Sequence, residues 1–265
     1  MAVVVTLGSV DIVAAGLLGL CFGSFANVVT HRIPLGQSCI SPPSHCPKCG
    51  TRLKWRAMIP IISWLVLRGR SLCCNSPISK RYPVTEACCS ILFILMAKNT
   101  GLTLFVLPLW GLAFVLLCIS IIDWYTMEIP DGLLIVGVLF VVAWLVLTLS
   151  TASAASTVPP PVSTVHTWQD AILGAIAGAM PLFVLDRIIW LTAKKPGFGL
   201  GDIKLMVMCG LFLGWQGIPA VYFIAFITGG IYGTILLLTG KAKKGSYLPF
   251  GPFLCGGTLI SFLAL

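Results

Sequence analysis

Apolar residues in this chain come in long runs divided by short polar breaks. At 1.5 Å of rise per residue, a helix needs about 20 apolar residues to cross a bilayer core. Runs at 10–30, 83–99, 102–122, 132–150, 169–191, 202–215, 218–239 and 247–264 are therefore candidate spans. The sixth is short: it is either a half-helix or it continues across the break at Gln216–Pro219. MIPIISWLVL (58–67) is apolar but too short to span, which predicts an interfacial or re-entrant segment. The first run has no basic residues ahead of it and carries Asp11 early, so it reads as a retained span rather than a removed signal peptide. The pattern predicts an all-α integral membrane protein of about eight transmembrane helices. Three parts follow: a first transmembrane helix at 1–30, a cytoplasmic cysteine-containing loop domain at 31–82, and a multi-helix membrane domain at 83–265.

Composition agrees. The 265 residues are 58% hydrophobic and 9% charged, and mean hydropathy is +1.01. Soluble domains carry about 25% charged residues, so a soluble enzyme is excluded. A net charge of +9 would point to nucleic acid on a soluble protein. Here it reports topology instead, with no nucleic-acid partner expected. With eight spans, all but Lys98 of the 17 Lys and Arg fall on one side. The positive-inside rule makes that side cytoplasmic, and its charge favours anionic membrane lipids. The uncharged stretch Thr151–Thr167, rich in Ala, Ser, Thr and Pro, reads as a flexible external loop.

The same crossing count places two carboxylates. Asp123 ends the third span and Asp202 begins the sixth, so both lie at the cytoplasmic ends of their helices. A carboxylate at the mouth of a span is costly unless it meets a wet cavity or a partner. Two held close share a proton, as in aspartic proteases, where one activates a water and the other polarises the scissile carbonyl. Gly199 and Gly201 precede Asp202 in GFGLGDIKLM and let an extended peptide backbone approach. Taken singly, Asp202 also reads as a helix cap and Asp123 as an interfacial polar residue. Asp186, near the basic end of the fifth span, is expected to pair with Arg187 or a lysine.

Eleven cysteines are present, and six of them lie in apolar spans as small hydrophobes. Cys46 and Cys49 have the two-residue spacing that lets two thiolates reach one Zn²⁺. A four-ligand site needs a second pair, and further on the chain reads RGRSLCCNSPIS. Zinc would use Cys46, Cys49 and Cys74, with a fourth ligand from Cys73, Cys39 or His45. Packing without metal is the competing reading, and a disulfide is disfavoured in a reduced compartment. Such a metal would be structural, stapling a loop that lacks a core.

Several segments resemble the type IV prepilin peptidases, membrane aspartic proteases of the G-x-G-D class. They are CFGSFANVVTHRIP (21–34), CPKCG (46–50), IPIISWLVLRGR (59–70), SPISKRYPVTE (76–86), IDWYTMEIPDGL (122–133), GFGLGDIKLM (197–206) and FGPFL (250–254). Together they reach across nearly the whole chain in the family's order. The resemblance implies a bacterial inner-membrane, multi-pass enzyme whose active site faces the cytoplasm. It would remove basic leaders from type IV prepilins or type II secretion pseudopilins, with Asp123 and Asp202 as the catalytic pair. It also implies S-adenosylmethionine-dependent methylation of the new N-terminus in members that retain it. One spacing departs from the family: Ser71 stands where its third loop cysteine is expected. Glu86, Glu128 and Asp131 are candidates to receive leader charges, and Glu86 is also a candidate partner for Arg81. Two rival readings remain. One is an ion- or proton-coupled transporter using Asp123 and Asp202. The other is a zinc-bearing assembly factor with no chemistry. Oligomeric state is not legible.

Overall fold

The computed structural model describes residues 8–153, 165, 167–194, 197–241 and 247–264. Most of the loop Thr151–Thr167, and Lys195, Lys243 and Lys244, lie outside the described residues. Two compact units divide the chain, Val4–Leu102 and Thr103–Leu265.

In the first unit, helix α1 (Ser9–Arg32) packs on α3 (Arg81–Thr100). The contact rests on glycine. A Cβ added at Gly19 would stand 2.6 Å from Ser90 Cα, and one at Gly23 would stand 2.6 Å from Glu86 Cα. Small residues four apart let two backbones touch where lipid supplies no hydrophobic drive. Between these helices the five-residue α2 (Ile62–Val66) leaves Ile62, Leu65 and Val66 exposed. It is preceded by Ile61 at φ 58, a left-handed conformation that is unusual for a β-branched residue. Glu86 holds this turn, its Oε2 accepting from the Ile61 N–H at 2.7 Å. The expected Glu86–Arg81 pair is not formed: Arg81 Nη2 donates to Thr30 Oγ1 at 2.8 Å. Glu86 sits deep against α1, where the amide of the turn is a donor within reach.

The second unit holds α4 (Val106–Thr126), α5 (Asp131–Ser153), α6 (Trp168–Ala193), α7 (Leu200–Leu238) and α8 (Gly251–Leu263). Thr167 and Asp170 start α6 with a capping box: Thr167 Oγ1 accepts from Asp170 N at 3.2 Å and Asp170 Oδ2 from Thr167 N at 2.9 Å. Helix α7 is two helices joined at Gly214, whose φ of 67 and ψ of 174 break the spiral. The sixth and seventh runs are therefore the two helices that α7 joins. Its break falls at Gly214 rather than at Gln216–Pro219, because only glycine takes that conformation without strain. Against this bend lies α6. Gly174 faces the backbone of Gly210 and Gly214, and Gly178 faces the carbonyl of Met206, with no room for a Cβ at either. Trp144 centres an aromatic core with Phe105, Phe212 and Phe262 at ring separations of 6.2, 6.2 and 6.0 Å.

The fold is all-α and membrane-type. Among the described residues α1, α4, α5, α6 and α7 are long and apolar enough to cross a bilayer. The other predicted spans are helices that meet this standard less fully. Helix α3 carries Arg81, Glu86 and Lys98, and α8 is 13 residues long.

Candidate active site

Asp123 lies in the last turn of α4. Met127 ends that helix in the left-handed conformation, and its N–H closes on Asp123 O at 2.9 Å. Asp123 is only 5% exposed. Its Oδ2 accepts the N–H of Gly251 at 2.9 Å, from the first turn of α8. Helix N-termini carry unpaired donors and a partial positive charge, so a carboxylate is well placed there. Gly251 is required by space as well: its Cβ would stand 2.8 Å from Asp123 Oδ2.

Asp202 opens α7. It sits three residues past the N-cap Gly199, and its Oδ2 accepts the Gly199 N–H at 3.3 Å. The capping reading is thus satisfied by one oxygen. Asp123 and Asp202 nonetheless line one cavity of about 330 Å³, with Gly199, Gly201, Glu128 and Asp131 also in its wall. In each carboxylate the second oxygen has no hydrogen-bond partner among the described residues. Two carboxylates with one oxygen each available to a shared wet cleft form the arrangement that acid–base hydrolysis needs. At the rim, Lys204 Nζ meets Asp131 Oδ1 at 2.8 Å, both well exposed. The two glycines differ. Gly201 is pressed on Ile129, whose Cβ would be 3.0 Å from an added Cβ, whereas a Cβ at Gly199 would make only ordinary contact, 3.5 Å from Asp202 Oδ2.

Among the described residues, Asp186 does not pair with Arg187 or a lysine. Its Oδ1 accepts from Gly197 N at 2.9 Å and Phe198 N at 3.2 Å. Arg187 instead lies over the Phe183 ring at 5.2 Å. Two backbone donors of a glycine-rich turn outcompete a solvated cation, because amides left unpaired in a partly buried turn are costly.

In the first unit, Cys46, Cys49, Cys73 and Cys74 bring their sulfurs within 4.8 Å of one another. Cys46–Cys74 is 3.7 Å and Cys49–Cys73 is 3.3 Å. A tetrahedral zinc with bonds of about 2.3 Å separates its sulfurs by about 3.8 Å, so the set fits one ion. Cys73 is the fourth sulfur of the set. Cys39 and His45 stand outside the cluster, and Ser71 contributes its hydroxyl to Cys73 and Cys74 at 3.2 and 3.3 Å. The backbone amides of Cys49 and Lys48 pull the Cys46 thiol down to about 5, towards the thiolate a metal binds.

Residues 17–100 match the bacterial peptidase A24 N-terminal domain, and residues 110–234 match the type IV leader peptidase family. The two carboxylates, the glycines before Asp202 and the cleft they line all fall within the second match. The chain belongs to the type IV leader peptidase family. A prepilin leader peptidase/N-methyltransferase of Klebsiella pneumoniae is 38% identical over 79% of this chain and 88% of its own length. Its counterpart in Stutzerimonas stutzeri is 32% identical over 92% of this chain and 87% of its own length. That of Bacillus subtilis is 32% identical over 93% and 92%. No solved structure matches. Nothing in these comparisons supports a transporter. For a leader peptidase, the sequence reading missed Gly251 as the donor to Asp123, although FGPFL was visible as a motif. It also missed Asp186 as an anchor of the glycine-rich turn.

Proposed function

We infer that this protein is a membrane leader peptidase that cuts prepilins or pseudopilins, with Asp123 and Asp202 as its catalytic pair. The observation that carries this reading is that both carboxylates line one cleft with Gly199 and Gly201. A substrate peptide lies along the glycine side of the cleft. A water held between the carboxylates attacks the scissile carbonyl carbon. One carboxylate takes its proton, and the other, protonated, donates to the carbonyl oxygen. Collapse of the tetrahedral intermediate passes the proton to the leaving amine. Gly251 and Gly199 each hold one carboxylate oxygen, which leaves the other oxygen of each available for the chemistry.

The relatives support an inner-membrane setting. The charge distribution along the chain supports a cytoplasmic active site, since all but Lys98 of the 17 Lys and Arg then face inward. The four-cysteine cluster would hold one structural zinc, which would staple the loop between α1 and α3 and take no part in hydrolysis. The relatives' names also support methyl transfer, for which S-adenosylmethionine would supply the methyl group to the new terminal amine.

Incubating purified protein in detergent with several prepilins tests the reading. Mass spectrometry should show loss of the leader and, with S-adenosylmethionine present, gain of one methyl group on the product. An intact substrate in every case contradicts it.

A further inference from the structure

The turn that delivers Asp202 to the cleft is Gly197–Phe198–Gly199. Glycines restrict the backbone little, so such a turn holds a fixed position only if something outside it does the holding. Two contacts do. Asp186, on α6, takes both the Gly197 and the Phe198 N–H on one oxygen, at 2.9 and 3.2 Å. Gly197 rests on the same helix so closely that a Cβ there would meet Ile189 Cδ1 at 2.5 Å.

From this anchored point the chain runs to both carboxylates. Phe198 is followed by Gly199, whose N–H holds Asp202 Oδ2. The Phe198 ring meets the Phe250 ring edge-on at 5.4 Å and 64°. Phe250 is followed by Gly251, whose N–H holds Asp123 Oδ2. The two amides that orient the pair are thus each one residue from a member of one aromatic contact. Asp186 fixes the Phe198 side of that contact to α6. It does not itself line the cleft.

We propose that Asp186 is a positioning residue: it pins the turn before Asp202 and, through Phe198 and Phe250, sets Asp202 relative to Asp123. The proposal rests on the peptidase reading above. Its action needs an acceptor oxygen rather than a charge, because both partners are backbone amides. Misplacing catalytic groups by about 1 Å costs roughly 10²-fold in rate.

The test is steady-state prepilin cleavage by full-length enzyme in detergent, comparing the parent with Asp186→Ala, Asp186→Asn, Phe198→Leu and Asp123→Asn. Asp186→Ala should lower kcat about 10-fold or more and leave KM within about twofold. Asp186→Asn, which keeps an acceptor oxygen, should return kcat to within about threefold of the parent. Phe198→Leu, which cuts the link from the other end, should lower kcat with the same unchanged KM. A purely structural role would not give this split or this rescue. The proposal is overturned if Asp186→Ala keeps the parent kcat, or if kcat falls only in step with the thermal midpoint and Asn does not restore it. If Asp186→Ala does not accumulate, a parent-like kcat in Phe198→Leu overturns it equally. Asp123→Asn separates the two claims. If that variant is inactive while Asp186→Ala is unaffected, only the positioning role fails. If it cleaves normally, the peptidase assignment of the cleft fails with it.

Discussion

Gly251→Ala adds one methyl group at the point where α8 meets Asp123. The new Cβ would stand 2.8 Å from Asp123 Oδ2 and 3.1 Å from its Cγ, closer than carbon contacts allow. Asp123 is 5% exposed, so it can give way only towards the cleft it lines. Alanine favours the helix start that glycine occupies, so a loss would come from the site and not from helix propensity. Relief of the overlap has to break or stretch the 2.9 Å bond from Gly251 N to Asp123 Oδ2. A hydrogen bond to a charged group contributes about 1.5–3 kcal/mol. At about 1.4 kcal/mol per decade, kcat should fall by about 10- to 150-fold. Steady-state cleavage of a prepilin by purified enzyme reads this directly, with KM expected to change little because Gly251 acts on Asp123 and not on substrate. A kcat within about threefold of the parent, in a variant of unchanged thermal midpoint, would refute the reasoning that Gly251 holds Asp123.

Other consequences follow from the same geometry. Gly174→Leu forces a side chain into the backbone of Gly210 and Gly214, so the α6–α7 contact should open. Overpacking costs about 1–3 kcal/mol, and a thermal scan in detergent should show a clear drop; an unchanged midpoint would mean these glycines are not in contact. Elemental analysis of the purified protein should find about one zinc per chain, lost in Cys46→Ser and Cys74→Ser. Stripping the metal should lower the thermal midpoint, and zinc-free protein with full stability would remove the structural role assigned to the cluster.

Much of the helical scaffold was legible because each element is a run of apolar residues, and hydropathy needs no tertiary information. The bend at Gly214 was less so. A proline inside a helix is a loud signal, and Gly214 speaks only through its contact with Gly174 on another helix. The paired small residues Gly174/Gly178, Gly210/Gly214 and Gly19/Gly23 do have the four-residue spacing of close-packed membrane helices, a signal that hydropathy passes over. Asp123 and Asp202 could be placed on one side of the membrane by counting crossings, since each lies at a helix end. Their supporting donors could not. Gly251 is 128 residues from Asp123, and its contribution is a backbone amide, which no residue identity announces. Asp186 was misread for the same reason: the charge beside it in sequence suggested an ion pair, while its partners are two amides across a turn. In the cysteine loop the C-x-x-C spacing announced one half of the cluster. The other half depended on how tightly Ser71–Cys74 turns, which brings the neighbouring Cys73 and Cys74 to the same centre.

On the proposed reading Asp123 and Asp202 act together on a peptide bond in the cleft they line. The measurement that tests it most directly is prepilin cleavage by purified Asp123→Asn and Asp202→Asn beside the parent, each checked for an unchanged thermal midpoint. Loss of general acid–base catalysis predicts that each variant falls at least ~10²-fold in kcat. Normal cleavage by either folded variant would contradict the account.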